Sequence, residues 1–256
     1  MGEMSGHKGT ALITGGSGGL GRAIALLLAE RGSHVVVTYR ANSDAAEAVV
    51  TTCRAAGVDA SAHQLDVINA QAAAEVVGAA VAEHGGIHTF VHAAGPHVPQ
   101  IHLSKVEPAD YARHLLEEAA GFFNVVSPAL PTLRATKGSI VAVTTAATQR
   151  YPVRDGLSAS TKGAIEQTVR ALCAEEGRFG IRANSVGPGM LTDGMAERLM
   201  ISGDLDEAAL AVTRANIPLR TFGTAMDIAE AVCFLASDRA KFISGQHLCV
   251  DGGYSV

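Results

Sequence analysis

The chain has 256 residues, 48% hydrophobic and 18% charged, which suits one compact α/β domain with a large core. Its net charge of −5 and pI near 6.0 favour neither a nucleic-acid backbone nor an anionic membrane surface as a partner. No apolar stretch of the sequence approaches the roughly 20 residues that a membrane-spanning helix needs.

The cysteines and histidines suggest neither disulfides nor a metal site. The four cysteines, Cys53, Cys173, Cys233 and Cys249, are scattered without a CxxC pair. Small core-filling thiols in a reducing compartment fit this pattern, so we expect a cytoplasmic protein. The ten histidines show no HExxH or comparable spacing, and we expect no bound metal. Residues 1–8 have no apolar signal region and are expected to form a loose tail.

The first part of the chain is predicted to form a β-α-β unit around a glycine-rich turn. The strand, turn, helix and second strand are Thr10–Ile13, Thr14–Gly21, Arg22–Glu30 and His34–Thr38. Glycines let a pyrophosphate approach the backbone, and the helix N-terminus offers free N–H groups. Because the turn lies between a strand and a helix, it predicts dinucleotide binding. The turn residues expected to bind the cofactor are Gly15, Ser17, Gly19, Leu20 and Gly21.

Arg40 follows the second strand, in the loop over which the adenosine ribose of a dinucleotide would lie. An acidic residue there would bind both ribose hydroxyls of NAD and repel a 2′-phosphate, and positions 38–40 carry none. We therefore expect Arg40 to bind the 2′-phosphate of NADP(H), with NAD(H) as the alternative cofactor. A solvated loop arginine without this role is the competing interpretation.

The rest of the chain alternates helices and strands. The predicted strands cover 60–65, 88–92, 138–145, 181–186 and 247–250, and the predicted helices cover 44–56, 69–84, 107–133, 157–176 and 226–237. Pro128 and Pro131 are expected to bend or end the last turns of the helix 107–133. The alternation predicts a single domain with a Rossmann-like, doubly wound parallel sheet of about seven strands, and ligand sites beyond the strand C-termini.

Several strands end in residues suited to a cofactor cleft. Asp66 could accept a hydrogen bond from an adenine amino group, or could instead cap the next helix. Small residues after the fourth strand would let the backbone approach the cofactor closely. The expected cofactor-binding residues here are Asp66, Val67, Ala93, Ala94, Gly95, Pro188, Gly189 and Leu191. The segment 190–222 is expected to be a mobile helical cover over the substrate, apolar at Met190, Leu191, Met195, Leu199, Met200, Leu205 and Leu210.

Together these pieces resemble the short-chain dehydrogenase/reductase family over essentially the full chain. The matching motifs are Thr14-Gly15-x-x-x-Gly19-x-Gly21, Asp66-Val67, Ala94-Gly95, Asn184-Ser185-Val186-Gly187-Pro188-Gly189 and the ending Ser244–Gly253. The ending resembles the 3-oxoacyl reductase and glucose dehydrogenase branch in particular. The resemblance implies hydride transfer between a nicotinamide cofactor and a small carbonyl or alcohol substrate. It also implies a homotetramer, built from the helices 107–133 and 157–176 and the C-terminal strand.

The catalytic part of the family pattern is altered. The family uses a Tyr-x-x-x-Lys pair, a serine from the preceding strand and an asparagine from the long helix. Lys162 stands at the lysine position, where the resemblance implies roles in catalysis and in cofactor binding, and Thr145 stands at the serine position. Ser158 replaces the tyrosine and Glu118 replaces the asparagine. A serine hydroxyl is a much weaker acid than a phenol and is too short to reach the substrate carbonyl. Thr145, Ser158 and Lys162 are the candidate catalytic residues.

Three functions are open on this pattern. The first is an oxidoreductase with altered acid–base chemistry, whose proton comes from one of five sources: Tyr151, His92, His97, Glu118 or a water on Lys162. The second is a cofactor-binding sensor or partner subunit with little turnover. The third is an enzyme of another class, with Ser158 as nucleophile and Lys162 as base. The apolar cover would suit an acyl chain or a steroid-like ring as substrate, or would only complete the core.

Overall fold

The computed structural model describes residues 4, 6–193 and 207–256, and of residues 207–209 only the backbone. Seven strands form its sheet: β1 Thr10–Thr14, β2 His34–Tyr39, β3 Ala60–Gln64, β4 Ile87–His92, β5 Ser139–Val143, β6 Arg182–Pro188 and β7 His247–Val250. All neighbouring strands are parallel, in the order β3-β2-β1-β4-β5-β6-β7. This confirms the predicted doubly wound parallel sheet.

Helices cover both faces of the sheet. Their bounds are α1 Gly19–Glu30, α2 Ser43–Ala55, α3 Ala70–His84, α4 Pro108–Leu115, α5 Gly121–Thr136, α6 Gly156–Glu176, α7 Glu207–Asn216 and α8 Ala225–Ala236. One apolar core joins α1, α2 and α8 to the sheet, and a second core on the other face joins α3, α5 and α6. Every residue of β1, β4 and β5 is buried, as expected for parallel strands covered on both faces.

The strand order reverses between β1 and β4, and this marks the edge where a ligand cleft is expected. The chain winds from β1 outward to β3 and then returns to β4, on the other side of β1. Ile13 of β1 lies in register with Val37 of β2 and Val91 of β4, so the carboxyl ends of these strands meet at one edge. In open α/β sheets, ligands bind outside the carboxyl ends of the strands at such a reversal.

The predicted helix 107–133 is instead three consecutive pieces. A π-helical turn, Leu116–Ala120, separates α4 from α5. Of the two predicted effects of Pro128 and Pro131, bending or ending the helix, the second is wrong, because both lie inside α5 and the helix continues to Thr136. The buried residues Phe122, Val125, Val126, Ala129 and Leu133 hold α5 against the sheet. Their packing outweighs the backbone hydrogen bonds that the two prolines cannot donate.

The expectation of a loose tail does not hold at Met4. Its side chain is 1% exposed within the core, and its N–H donates to the carbonyl of Arg31 at 2.8 Å. Within the expected cover, Leu191 is buried in the core and makes a bridge to Gly223. The predicted apolar residues Met195, Leu199, Met200 and Leu205 lie outside the described residues.

The described residues contain no group of three or more histidine, cysteine or acidic side chains placed to hold a metal ion. In the same part of the chain, no helix combines the length and apolarity required to cross a bilayer. All four cysteines are described, and no disulfide joins them.

Candidate active site

The glycine turn after β1 leaves no room for side chains at Gly15 and Gly21. Gly15 has a φ of +69°, and a Cβ on it would lie 2.8 Å from the backbone of Ala94. A Cβ on Gly21 would collide with the carbonyl of Gly15. Helix α1 begins at Gly19, earlier than the predicted Arg22, and its N-cap residue has no side chain to bond the first N–H groups. The turn therefore offers an uncapped helix N-terminus to an anionic group.

The end of β2 fixes the turn and presents Arg40. The N–H of Gly16 donates to the carbonyl of Thr38 at 3.0 Å, and the N–H of Gly15 donates to the Thr38 hydroxyl at 3.4 Å. Arg40 follows at an exposed position. Its backbone carbonyl accepts a hydrogen bond from Gln64 Nε2 at 3.0 Å, and its guanidinium makes no hydrogen bond or ion pair within the described ranges. The guanidinium is thus available for a phosphate.

Asp66 lies exposed just beyond β3. Its Oδ1 accepts from the N–H of Ile68 at 3.3 Å. The cap of α3 is Asn69, whose Oδ1 accepts from the N–H of Ala72 at 3.0 Å. The alternative in which Asp66 caps this helix is therefore wrong. Val67 is half-buried, and its carbonyl accepts from Asn124 Nδ2 at 3.0 Å.

The end of β4 lies directly beside the glycine turn. The N–H of Ala93 donates to the carbonyl of Thr14 at 3.2 Å, so the small residues 93–95 continue the floor of the cleft. His92 is fully buried, and its Nδ1 lies 2.9 Å from Thr14 Oγ1. Burial, with a smaller contribution from the charge of Lys162, lowers the pKa of His92 to about 3. His92 is therefore neutral at physiological pH and cannot act as an imidazolium proton donor.

Glu118 and Lys162 form an ion pair in the cleft. Lys162 Nζ donates to Glu118 Oε1 at 2.6 Å. The Lys162 side chain is 16% exposed and that of Glu118 is 0% exposed, so of this pair only Lys162 reaches the surface. The second carboxylate oxygen of Glu118 is buried and has no partner within the described ranges. A ligand hydroxyl could bind this oxygen.

The π-helical turn and Gly95 determine the position of the Glu118 carboxylate. The N–H of Gly121 bonds to the carbonyl of Leu116, five residues earlier, which widens the helix at Glu118. A Cβ on Gly95 would lie 3.1 Å from Glu118 Oε1, so the carboxylate rests against the end of the β4 segment. The sequence pattern placed Glu118 at the family's asparagine position, but gave no sign of a direct contact with Lys162.

Ser158 and Thr145 border the same cleft. Ser158 lies in the first turns of α6 and is 8% exposed. Where the structure describes the chain, its hydroxyl makes no hydrogen bond with Lys162, whose amine bonds to Glu118. Thr145 Oγ1 accepts from the N–H of Ala147 at 3.1 Å, which leaves its hydroxyl hydrogen for a substrate oxygen.

Asp155 is a residue of this site that the sequence reasoning missed. It stands at the N-terminal boundary of α6, where its carboxylate caps no backbone N–H and instead accepts from Gln100 Nε2 at 3.0 Å. Burial raises the pKa of Asp155, while the Gln100 hydrogen bond and the Lys162 charge oppose the rise. An acidic residue just before a predicted helix was the only available signal, and it indicated a cap. Tyr151, by contrast, is 69% exposed in the preceding loop, and His97 is exposed as well.

The residues after β6 form the opposite wall. The N–H of Gly189 donates to the carbonyl of Val250 at 3.0 Å, which ties this segment to β7. Pro188 is half-buried at the end of β6, and Leu191 is 8% exposed. These residues and the glycine turn therefore flank the carboxyl edge of the sheet.

A parallel sheet with a tight glycine turn at its reversal point defines a dinucleotide-binding fold of the Rossmann type. The family model described as enoyl-(acyl carrier protein) reductase matches residues 15–255. A short-chain type dehydrogenase/reductase structure from Mycobacterium ulcerans superimposes with a TM-score of 0.89 at 27% identity, covering 97% of this chain and 90% of that one. The chain belongs to the short-chain dehydrogenase/reductase family and is an oxidoreductase of that family.

Curated relatives and further structures agree with this assignment. The 3-oxoacyl-[acyl-carrier-protein] reductase FabG of Staphylococcus epidermidis is 34% identical over 245 residues, covering 95% of this chain and 98% of the relative. Versicolorin reductase 1 of Aspergillus parasiticus is 33% identical over 253 residues, covering 95% of each chain. A blue fluorescent protein from a metagenomic library, solved with NADPH, has a TM-score of 0.89 at 28% identity, covering 99% of this chain and 100% of that one.

Proposed function

We propose that this protein is an NADP(H)-dependent oxidoreductase that interconverts a carbonyl and an alcohol, using an altered acid–base site. The observation that carries the proposal is the 2.6 Å contact between Lys162 Nζ and Glu118 Oε1, in which the Lys162 side chain stays 16% exposed. This contact supports Lys162 as the acid of a site in which Ser158 replaces the family's tyrosine. The reductases among the relatives support the reaction class.

The cofactor would lie along the carboxyl edge of the sheet. The glycine turn and the N-terminus of α1 would hold its pyrophosphate, and Arg40 would bind the 2′-phosphate of NADP(H). Ala93, Ala94 and Gly95 would form the floor, with Pro188, Gly189 and Leu191 on the opposite side. One similar structure was solved with NADPH and a xylitol dehydrogenase structure with NAD+, so NAD(H) is the alternative. When bound, the cofactor supplies or accepts the hydride.

Lys162 is the proton carrier in this proposal. On reduction, the substrate oxygen needs a proton, and the Ser158 hydroxyl is too weak an acid and too short to supply it. The Lys162 ammonium supplies the proton, directly or through one water, while the Thr145 hydroxyl donates a hydrogen bond to the same oxygen. Asp155, with its raised pKa, is the second candidate acid. General acid–base catalysis contributes roughly 10²–10⁴ in rate, and a lysine acid would recover only part of that factor.

A cofactor sensor with little turnover is the second candidate function. The ion pair favours it, because the Glu118 carboxylate holds the Lys162 amine at 2.6 Å and competes with a substrate oxygen for it. The Ser–Lys enzyme of another class finds no support in the geometry of this site. A base is expected to hydrogen-bond its nucleophile. Within the described residues, the Lys162 amine bonds to Glu118 and makes no hydrogen bond to Ser158.

A homotetramer in the cytoplasm completes the proposal. Large apolar side chains are exposed on the π-helical turn, α5 and β7: Leu116, Phe123 and Leu248. Such faces are suited to contacts between copies in a closed symmetric assembly. Light scattering should return about four times the 26.3 kDa chain mass. A monomer at micromolar concentration would overturn the tetramer.

A cofactor titration followed by a carbonyl panel tests the function. We expect NADPH fluorescence to change on binding, with tighter binding of NADPH than of NADH, and slow carbonyl reduction by the same sample. That turnover should be lost in Lys162→Met and kept in Tyr151→Phe. Turnover that survives Lys162→Met but disappears in Tyr151→Phe would assign the proton to Tyr151. Failure to bind either cofactor would overturn the proposed function.

A further inference from the structure

We propose that Glu118 shifts the preference of this cleft toward the oxidised cofactor, whose nicotinamide ring is a cation, and away from the reduced cofactor, whose ring is neutral. The inference rests on the proposed function, because it needs a nicotinamide cofactor in the cleft. It concerns the form of the ligand that the protein prefers, a property separate from the reaction class.

The carboxylate lies at the reactive end of the cleft. Glu118 Oε1 lies 3.1 Å from the position of a Cβ on Gly95, beyond the end of β4 and beside Lys162. The adenosine end is marked by Arg40, after β2, on the other side of β1. A dinucleotide that spans the reversal point between β1 and β4 therefore brings its nicotinamide close to Glu118 and its adenosine close to Arg40.

Glu118 offsets the positive charge of Lys162 at this end of the cleft. Lys162 contributes one positive charge and Glu118 one negative charge, joined by a charge-assisted hydrogen bond. His92 is buried and neutral. Asp155, half-buried nearby, has a raised pKa. A neutral residue at position 118 would leave the Lys162 ammonium uncompensated beside the nicotinamide ring.

The two cofactor forms differ in the charge of this ring. The oxidised nicotinamide is a cation and the reduced ring is neutral, so a lone ammonium repels only the oxidised form. Adding the carboxylate removes that repulsion and favours the oxidised form. Because Glu118 is 0% exposed, solvent and salt screen its charge weakly. At an effective dielectric constant of about 20, a unit charge about 10 Å away changes an equilibrium of a charged ligand roughly tenfold.

Dissociation constants for NADP+ and NADPH, measured by calorimetry on the full chain, test the inference. In Glu118→Gln, the ratio of the NADP+ constant to the NADPH constant should rise about tenfold. The matched control is Glu176→Gln, which removes a carboxylate whose side chain is 8% exposed and which pairs with Arg134 at 2.6 Å. Glu176 lies at the far end of α6, about 20 Å from Lys162, so its loss should leave the ratio unchanged.

Two further measurements keep the test decisive. Glu118→Asn places the residue of the family pattern at this position and should raise the ratio by a similar factor. It replaces Glu118→Gln in the test if Glu118→Gln fails to fold. Because Glu118 offsets the Lys162 charge, the unmodified chain should bind NADP+ about as tightly as NADPH. Both cofactors binding with an unchanged ratio in the Glu118 variants, or a wild-type preference for NADPH of more than about tenfold, would overturn the inference. Absence of all cofactor binding would instead overturn the proposed function.

Discussion

Acidification should destabilise this protein through two buried histidines, His88 and His92. His88 is 4% exposed and His92 is 0% exposed. Burial lowers the pKa of each to about 3, assisted by the nearby charges of His7 and His34 for His88 and of Lys162 for His92. In the unfolded chain both should titrate near 6.5. Below about pH 6.5 the unfolded state therefore binds protons that the folded state does not, so stability is complete above that pH and falls below it.

The expected loss is a large part of the total stability. A pH of about 5 lies roughly 1.5 units below the unfolded pKa of each histidine and well above its folded pKa. Each histidine therefore lowers the unfolding free energy by about 2 kcal/mol at this pH. The pair removes about 4 kcal/mol, against a total of about 5–15 kcal/mol for a typical protein. Burial also lowers the pKa of His84 and of His247, which act in the same direction. The raised pKa of Asp155 opposes them at lower pH.

Urea unfolding followed by circular dichroism measures this loss. We expect His88→Gln and His92→Gln each to flatten the dependence of the unfolding free energy on pH by about 1.4 kcal/mol per pH unit. Comparing slopes removes the packing loss that either substitution brings at every pH. His97→Gln, on an exposed loop, is the matched control and should keep the wild-type slope. A double variant that loses as much stability as the wild type between about pH 7 and 5 would refute the reasoning.

Three other substitutions probe the cofactor, the acid and the core. Arg40→Ala should weaken NADPH binding far more than NADH binding in a fluorescence titration, because it removes a charge-assisted phosphate contact; equal losses would count against an NADP(H) site. Ser158→Tyr should raise carbonyl turnover by up to about 10²–10⁴ in an NADPH-oxidation assay, with Ser158→Phe as the control lacking the hydroxyl; equal rates in both variants would contradict a missing acid. Phe122→Ala should lower the unfolding free energy by about 3–5 kcal/mol, since Phe122 is fully buried between α5 and the sheet, and a denaturation curve close to wild type would show that the site repacks.

The fold could be predicted because its signals are local. The glycine turn after an apolar strand and the regular alternation of strands with helices indicate the sheet without any knowledge of tertiary contacts. The predictions that Pro128 or Pro131 would end the helix and that Met4 would be loose were wrong because tertiary packing determines the local structure at these residues. Pro128 and Pro131 looked like helix breakers, but burial of Phe122 and Leu133 keeps α5 helical around them. Met4 was assigned to a loose tail because nothing in the sequence shows that the core has room for its side chain.

Individual residues of the site could be predicted from the sequence, but the hydrogen bonds between them could not. Lys162 and Glu118 were found by their positions in the family pattern, yet the hydrogen bond between them joins residues 44 apart in sequence. The contact between Gln100 and Asp155 spans 55 residues and left no periodic signal. The π-helical turn also lacks a residue signature of its own. The roles of Thr145, Ser158 and Arg40 stay predictions.

The π-helical turn makes the chemistry of this site depend on chain length as well as on side-chain identity. A regular helix rotates each residue by about 100°, so removing one residue from Leu116–Ala120 would let α4 and α5 join in phase. Glu118 would then turn away from Lys162 although no side chain in the cleft had been replaced. A single-residue deletion is therefore a route by which a descendant of this protein could release its lysine, a change that comparison of aligned residue types alone would overlook.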